Sequence, residues 1–287
     1  MQPSISIVIP TRNRADYLAV ALASLEQQDF DGPSEVVVVD DASADASSRV
    51  VAERSCAGYV RLDPDRGLNA ARNAGIAAVS APLIAFLDDD VFVPKGWMRA
   101  LVEGSARHPG AEAFGGPIRA RFEGRTPSAC GREKPAITTL DLGPRDVETG
   151  VVWGANLAVR RSALERVGLF DERLSGHGDE EDWLLALRAA GGTVVYLAAA
   201  GVDHRRVAGD SGLKALARAA YHRGRAARIT DQRRGSAPRV LFELRVLAGC
   251  AWHTAHYACP QGVIMGAHSA GRLAEALSRE RRVSLYS

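Results

Sequence analysis

Cysteine is scarce in this chain of 287 residues: Cys56, Cys130, Cys250 and Cys259 stand far apart and no two form a C-x-x-C pair. That spacing argues against a zinc site and against a secreted disulfide framework, and it points to a reducing cytoplasm. The amino terminus, MQPSISIVIP, lacks a basic segment and its short apolar run stops at a proline. It is too short for a signal peptide or a spanning helix, so export by that route is not expected. No G-x-G-x-x-G follows a strand-like run and no G-x-x-x-x-G-K-[ST] occurs, so neither a dinucleotide-binding Rossmann domain nor a P-loop nucleotidase is supported. Internal repeats and low-complexity tracts are missing as well. Aromatic residues make up only 6%, yet 46% of the chain is apolar and 24% charged, the balance of a globular protein. A chain of this length buries about three quarters of its unfolded surface and needs no covalent staple.

The net charge is only +2, but it is unevenly spread. Residues 205–245 hold eleven Arg or Lys against three acids, leaving the remainder acidic. Basic stretches attract phosphates and anionic surfaces, whereas clustered acids hold cations or act as bases. A helix whose arginines are merely solvated is the alternative. No nucleic-acid partner is expected.

Runs rich in Val, Ile and Leu occur at Ile5 to Ile9, Glu35 to Val39, Tyr59 to Leu62 and Leu83 to Leu87. Segments of helical period separate them, at Tyr17 to Gln28, Ser43 to Arg54 and Leu68 to Val79. Nearly continuous apolar runs suit parallel strands covered on both faces, so the alternation predicts an α/β fold with an open, doubly wound, mostly parallel sheet. Residues 119–150, dense in Gly and Pro, read as an irregular excursion beside a site. A strand at Asn156 to Val159, a helix from about Glu181, a strand from Val194 and a helical carboxy-terminal extension follow. The expected division is 1–208, its donor half about 1–95 and its acceptor half about 96–208, with the basic and apolar extension at 209–287.

The first, second and fourth runs end in Pro10-Thr11-Arg12-Asn13, Asp40-Asp41 and Asp88-Asp89-Asp90. Ligands of open α/β sheets sit outside the carboxyl ends of the strands, so these groups should meet in one crevice. Three adjacent acids raise one another's pKa unless a cation compensates. Oxygen ligands favour Mg2+ or Mn2+, which complete their shell with water and substrate phosphate. A solvated acidic turn is the plain alternative.

Six stretches, SIVIPTRNRADYL, VVVVDDAS, DRGLNAARNAG, IAFLDDDVFVP, WGANLAVRRSALERVGLFDE and GDEEDWLLALRAAGG, together resemble the family 2 glycosyltransferases of the GT-A fold, in order and spacing, across about residues 4–205. The resemblance implies an inverting, metal-dependent transfer from a nucleotide-diphosphate sugar to an acceptor hydroxyl. It places Pro10, Thr11, Arg12, Asp40 and Asp41 around the nucleobase and ribose, and Asp88 to Asp90 at the D-x-D element. Asp88 and Asp89 then face the donor, and Asp90, Asp89 and His204 hold the metal, with either Asp89 or Asp90 as principal ligand. Arg72 lies where a cation meets the diphosphate or pairs with the acidic run. Alignment on Arg188 sets Glu181 and Asp182 as the catalytic acid pair, with Asp182 the general base. Asp179 and Glu180 are expected to cap the helix. Trp153, His177 and Trp183 are expected on the acceptor side. The acceptor itself, a sugar, a lipid-linked sugar or a small molecule, is not encoded in any motif, nor is the oligomeric state.

From Val246 to Gly271 no charged residue occurs, but Pro260-Gln261-Gly262 interrupts the run. This reads as a buried or interfacial helical hairpin, either peripheral on the inner face of an anionic membrane or packed on the catalytic domain or a partner. Two further functional classes stay open. The acidic run resembles the D-x-D of haloacid-dehalogenase-type phosphatases, although Phe92 stands where Thr or Val is wanted. A non-catalytic GT-A-like domain that binds nucleotide sugar or scaffolds other enzymes is the other.

Overall fold

A computed structural model describes residues 4–124, 126, 137–174, 179–233 and 235–283. Their order is β1 (Ile5–Thr11), α1 (Ala15–Glu26), β2 (Ser34–Asp41), α2 (Ser47–Ala52), β3 (Ala57–Leu62), α3 (Leu68–Ala78), β4 (Leu83–Leu87), β5 (Val91–Phe92), α4 (Trp97–Arg107), β6 (Ala113–Gly115), β7 (Ile118–Glu123) and β8 (Val147–Glu148). Then come β9 (Asn156–Arg160), α5 (Arg161–Val167), α6 (Asp179–Ala189), β10 (Val194–Tyr196), β11 (Val202–Val207), α7 (Leu213–Arg233), α8 (Val240–Tyr257) and α9 (Pro260–Val283). The described residues fall into two compact units, one of residues 4–121, 138–174 and 179–205, the other drawn from 122–137 and from 206 onward.

In the first unit an eight-stranded sheet runs β3-β2-β1-β4-β9-β6-β10-β8. The strands β3, β2, β1 and β4 are parallel, as their apolar runs predict, whereas β9 enters antiparallel between β4 and β6. β9 is covered on both faces like its parallel neighbours and its run is equally apolar, so its antiparallel entry was not legible in the sequence. Alternate residues divide the core. Ile5, Ile7 and Ile9 face α1 and α4, while Val8, Val37 and Phe86 face α3, α5 and α6. Gly75 lets α3 close on the sheet, since a Cβ there would lie 2.2 Å from Val8 Cγ1.

Helix α2 is shorter than its periodicity suggests. Asp40 accepts the Ser43 N–H at 2.7 Å and Asp45 accepts the Ser47 N–H at 3.0 Å, so side-chain turns hold the segment that was expected to begin the helix. The strand expected from Val194 is β10 and ends at Tyr196, β11 follows from Val202, and α6 starts at Asp179. A small sheet ordered β5-β11-β7 crosses residues expected to be irregular.

The second unit holds α7, α8 and α9. Gly224 and Gly271 set the closeness of α7 and α9, because a Cβ at either would lie 2.0 Å from a carbonyl oxygen, of His268 and of Tyr221 respectively. No described helix is long and apolar enough to cross a membrane.

Candidate active site

The parallel strands deliver their carboxyl ends to one edge, and the polar residues that follow them converge there. Thr11, at the end of β1, donates its hydroxyl to Asp89 Oδ2 at 2.7 Å. Arg14 donates to Asp89 Oδ1 at 3.1 Å and to Asp90 Oδ2 at 2.7 Å, with Tyr17 beneath its guanidinium at 5.1 Å. Pro10 is buried in the strand, and exposed Arg12 pairs with Asp65 at 2.7 Å.

At the end of β2 the two acids turn opposite ways. Asp40 receives Ser43 N–H, the Tyr59 hydroxyl and Arg61, and these bonds outweigh the effect of burial and hold its carboxyl below the usual range. Asp41 accepts the backbone N–H of Arg66 at 2.7 Å and of Gly67 at 2.9 Å, and so clamps the loop into α3.

Beyond β4 the acidic run separates. One ligand atom from each of Asp88, Asp90 and His204 lies within 4.8 Å of the others. Strand pairing makes this possible: His204 on β11 sits opposite Val91 on β5, and Arg205 N–H bonds the Asp90 carbonyl at 2.8 Å. Asp89 instead faces Thr11 and Arg14. Burial, with Asp90 adding, pushes Asp89 up to about 7 against the pull of Arg14 and Thr11. Burial and then Asp90 raise Asp88 too, against Arg72 and His204.

His204 is buried, with Nδ1 3.2 Å from the Thr138 carbonyl and Nε2 3.1 Å from Asp90 Oδ1. The carbonyl can only accept, so Nδ1 carries a proton and Nε2 is directed at the carboxylates. An ionised carboxylate and a lone pair at that distance require a shared cation, either a proton or a metal. Two carboxylates and an imidazole whose outer nitrogen is held by a carbonyl fit a divalent ion, and the nitrogen suits Mn2+ better than Mg2+.

Behind the cluster Arg72 is buried. It donates to Asn69 at 3.0 Å, lies 3.9 Å from Glu180 Oε2 and rests 5.4 Å from the Phe170 ring. Glu180 also accepts the Gly154 N–H at 3.1 Å, and a Cβ at Gly154 would lie 2.3 Å from Arg72 Nη2. Glu180, expected as a helix cap, is thus a buried partner of Arg72. It shares the inner face of α6 with Trp183, Leu184 and Leu187. Glu181 is half-buried and Asp182 exposed on the outer face.

Trp183 does not stand where an acceptor could reach it. It is 4% exposed, its indole N–H bonds the Gly168 carbonyl and its ring lies against Phe170, because the helical spacing that turns Asp182 outward turns the next residue inward. Trp153 is half-buried against the core, and His177 lies outside the described residues. A cleft of about 600 Å³ opens at the carboxyl end of β10, lined by Pro117, Arg119, Asp141, Asp146, Tyr196 and Ala198.

Sequence reasoning missed Arg14, Asn69, Gly154 and the inward Glu180. The signal for Glu180 was present, since an acid three, four and seven residues before Trp183, Leu184 and Leu187 belongs to their face. Arg14 gave no such signal beyond its place just past a strand end.

The chain matches the family model of glycosyl transferase family 2 over residues 6–168. It is 33% identical over 233 residues to the pre-mycofactocin glycosyltransferase of Mycobacterium tuberculosis, covering 78% of this chain and 47% of that protein. The chain therefore spans about half the length of that relative. Among solved structures it is similar to the mannosyltransferase PcManGT from Pyrobaculum calidifontis in complex with GDP-Man and Mn2+, with a TM-score of 0.57 and 18% identity over 100% of this chain and 76% of that one. It is also similar to GalNAc-T7 with UDP, GalNAc and Mn2+, with a TM-score of 0.58 and 16% identity over 77% of this chain and 47% of that one. Both likenesses show the fold, which is GT-A with carboxy-terminal helices. With most of its α/β unit inside the match, the chain belongs to glycosyl transferase family 2.

Proposed function

We propose that this protein is an inverting, metal-dependent transferase that moves a sugar from a nucleotide-diphosphate donor to an acceptor hydroxyl. The convergence of Asp88, Asp90 and His204 at the carboxyl end of β4 carries the reading. When bound there, a Mn2+ or Mg2+ ion neutralises charge on the departing nucleoside diphosphate. Thr11 holds Asp89 to one side, Arg14 bridges Asp89 and Asp90, and the Thr138 carbonyl holds the His204 tautomer that presents Nε2. Pro10, Thr11, Arg12, Asp40 and Asp41 form the nucleoside side of the crevice, with Asp41 fixing the loop beside it. Arg72 and Glu180 tie the donor edge to the start of α6, which carries Asp182 as general base and Glu181 as its neighbour. Asp182 takes the proton of the acceptor hydroxyl as that oxygen bonds the anomeric carbon from the face opposite the breaking bond to the nucleoside diphosphate, which gives inversion. The cleft at β10 suits the acceptor half.

The phosphatase alternative falls with the family assignment. A binding or scaffold role would leave donor turnover at zero, so turnover separates it from the enzyme. The reading keeps the cytoplasmic location expected from the cysteines, with peripheral contact at the inner membrane face. Calorimetry with nucleoside diphosphates is the test: binding weak in chelator and restored by Mn2+ is expected, and equal affinity with and without metal overturns the reading.

A further inference from the structure

Helix α8 is amphipathic in the reverse sense to a helix that faces water. Its buried side carries Glu243, 2% exposed, bonded to Arg272 at 2.5 Å and facing Arg228 at 3.9 Å. Its outer side carries Leu241, Phe242, Leu244, Trp252 and Tyr257, all exposed, with Ala248, Ala251 and Ala255 between them. Eleven of its residues are exposed and one of these, Arg245, is charged. A solvated face of this length would hold several charges.

We infer that the outer face of α8 is a docking surface for an anionic lipid bilayer, with the helix lying in the plane of the interface. Three observations choose the bilayer over a second copy of the chain or another protein. Residues 206–287 hold fourteen basic against five acidic side chains, the complement of anionic headgroups. Arg245 lies within the face and Arg239 at its start, where their stems can run along apolar surface while the guanidinium groups reach phosphate. A symmetric pairing through the same face would crowd these like charges. Trp252, stacked on His256, and Tyr257 join an apolar body to a polar tip, the chemistry of the membrane interface. With no described helix able to span a bilayer, such a face binds at the surface. The inference does not depend on the transferase reading.

Flotation of the full chain with phosphatidylcholine vesicles, with and without phosphatidylglycerol, tests it. Flotation only with the anionic vesicles is expected, reduced by salt, and lowered about tenfold or more in Trp252→Glu and Leu241→Glu. Both positions are exposed, and circular dichroism and the thermal midpoint check that the variants remain folded. A wild type that stays in the soluble fraction overturns the inference, as do variants that float like the wild type. A dimer in sedimentation equilibrium that Leu241→Glu dissociates, without vesicle binding, overturns it in favour of a copy interface.

Discussion

Neighbouring residues here perform opposite tasks, and a single position decides which. On α6 Glu180 points inward to Arg72 and Gly154, whereas Asp182, two residues on, points to solvent. If Asp182 is the base, Asp182→Asn should lower kcat by about two to four orders of magnitude while donor affinity by calorimetry is unchanged. Glu181→Gln should do less, and a reversed order of the two would move the role to Glu181. Asp40 makes a separate case through pH. Its folded carboxyl lies below its unfolded value of about 3.9, so its stabilisation is full above that value and is lost as pH falls through the folded one. Asp40→Asn should therefore lower stability near neutral pH by about 1 to 3 kcal/mol, and urea melts of the two proteins should converge in acid. Much of this was legible as residue types at strand ends. The partition of the acidic run was not, since three identical side chains in a row carry no sign of which faces Thr11 and which faces His204.

Elements were legible where one periodicity ran undisturbed. The apolar runs of β1, β2 and β4 showed themselves, and so did α1 and α3. Where side chains compete with the backbone the reading failed: Asp40 and Asp45 shorten α2 by bonding nearby N–H groups. The two-residue strands β5 and β8 are too short for any pattern to register, although β5 is what receives His204. Among the helices of the carboxy-terminal unit, packing is set by backbone approach. Gly224→Ala and Gly271→Ala each place a methyl against a backbone carbonyl that cannot rotate away. Each should cost about 1 to 3 kcal/mol, read as a lower urea midpoint. Gly249→Ala, with nothing within 4 Å of the added methyl, is the control and should hold or gain stability.

At the scale of the molecule, the order of motifs carried the family and the charge asymmetry marked the carboxy-terminal helices. The antiparallel entry of β9 between β4 and β6 stayed hidden, because it is set by tertiary pairing rather than by local pattern. The pairing of β11 with β5 has a temporal consequence. Asp90 and His204 meet only when β11 pairs with β5, and β11 lies well beyond residue 168, where the family match stops. The parallel strands can assemble from segments close in the chain, but His204, the third residue of the proposed ion site, arrives from far along it, and contacts of such separation form slowly. In refolding followed by stopped flow, the far-ultraviolet signal should recover ahead of Mn2+ affinity. On the proposed reading, the protein would then pass through an interval in which it has gained its architecture and does not yet hold the ion.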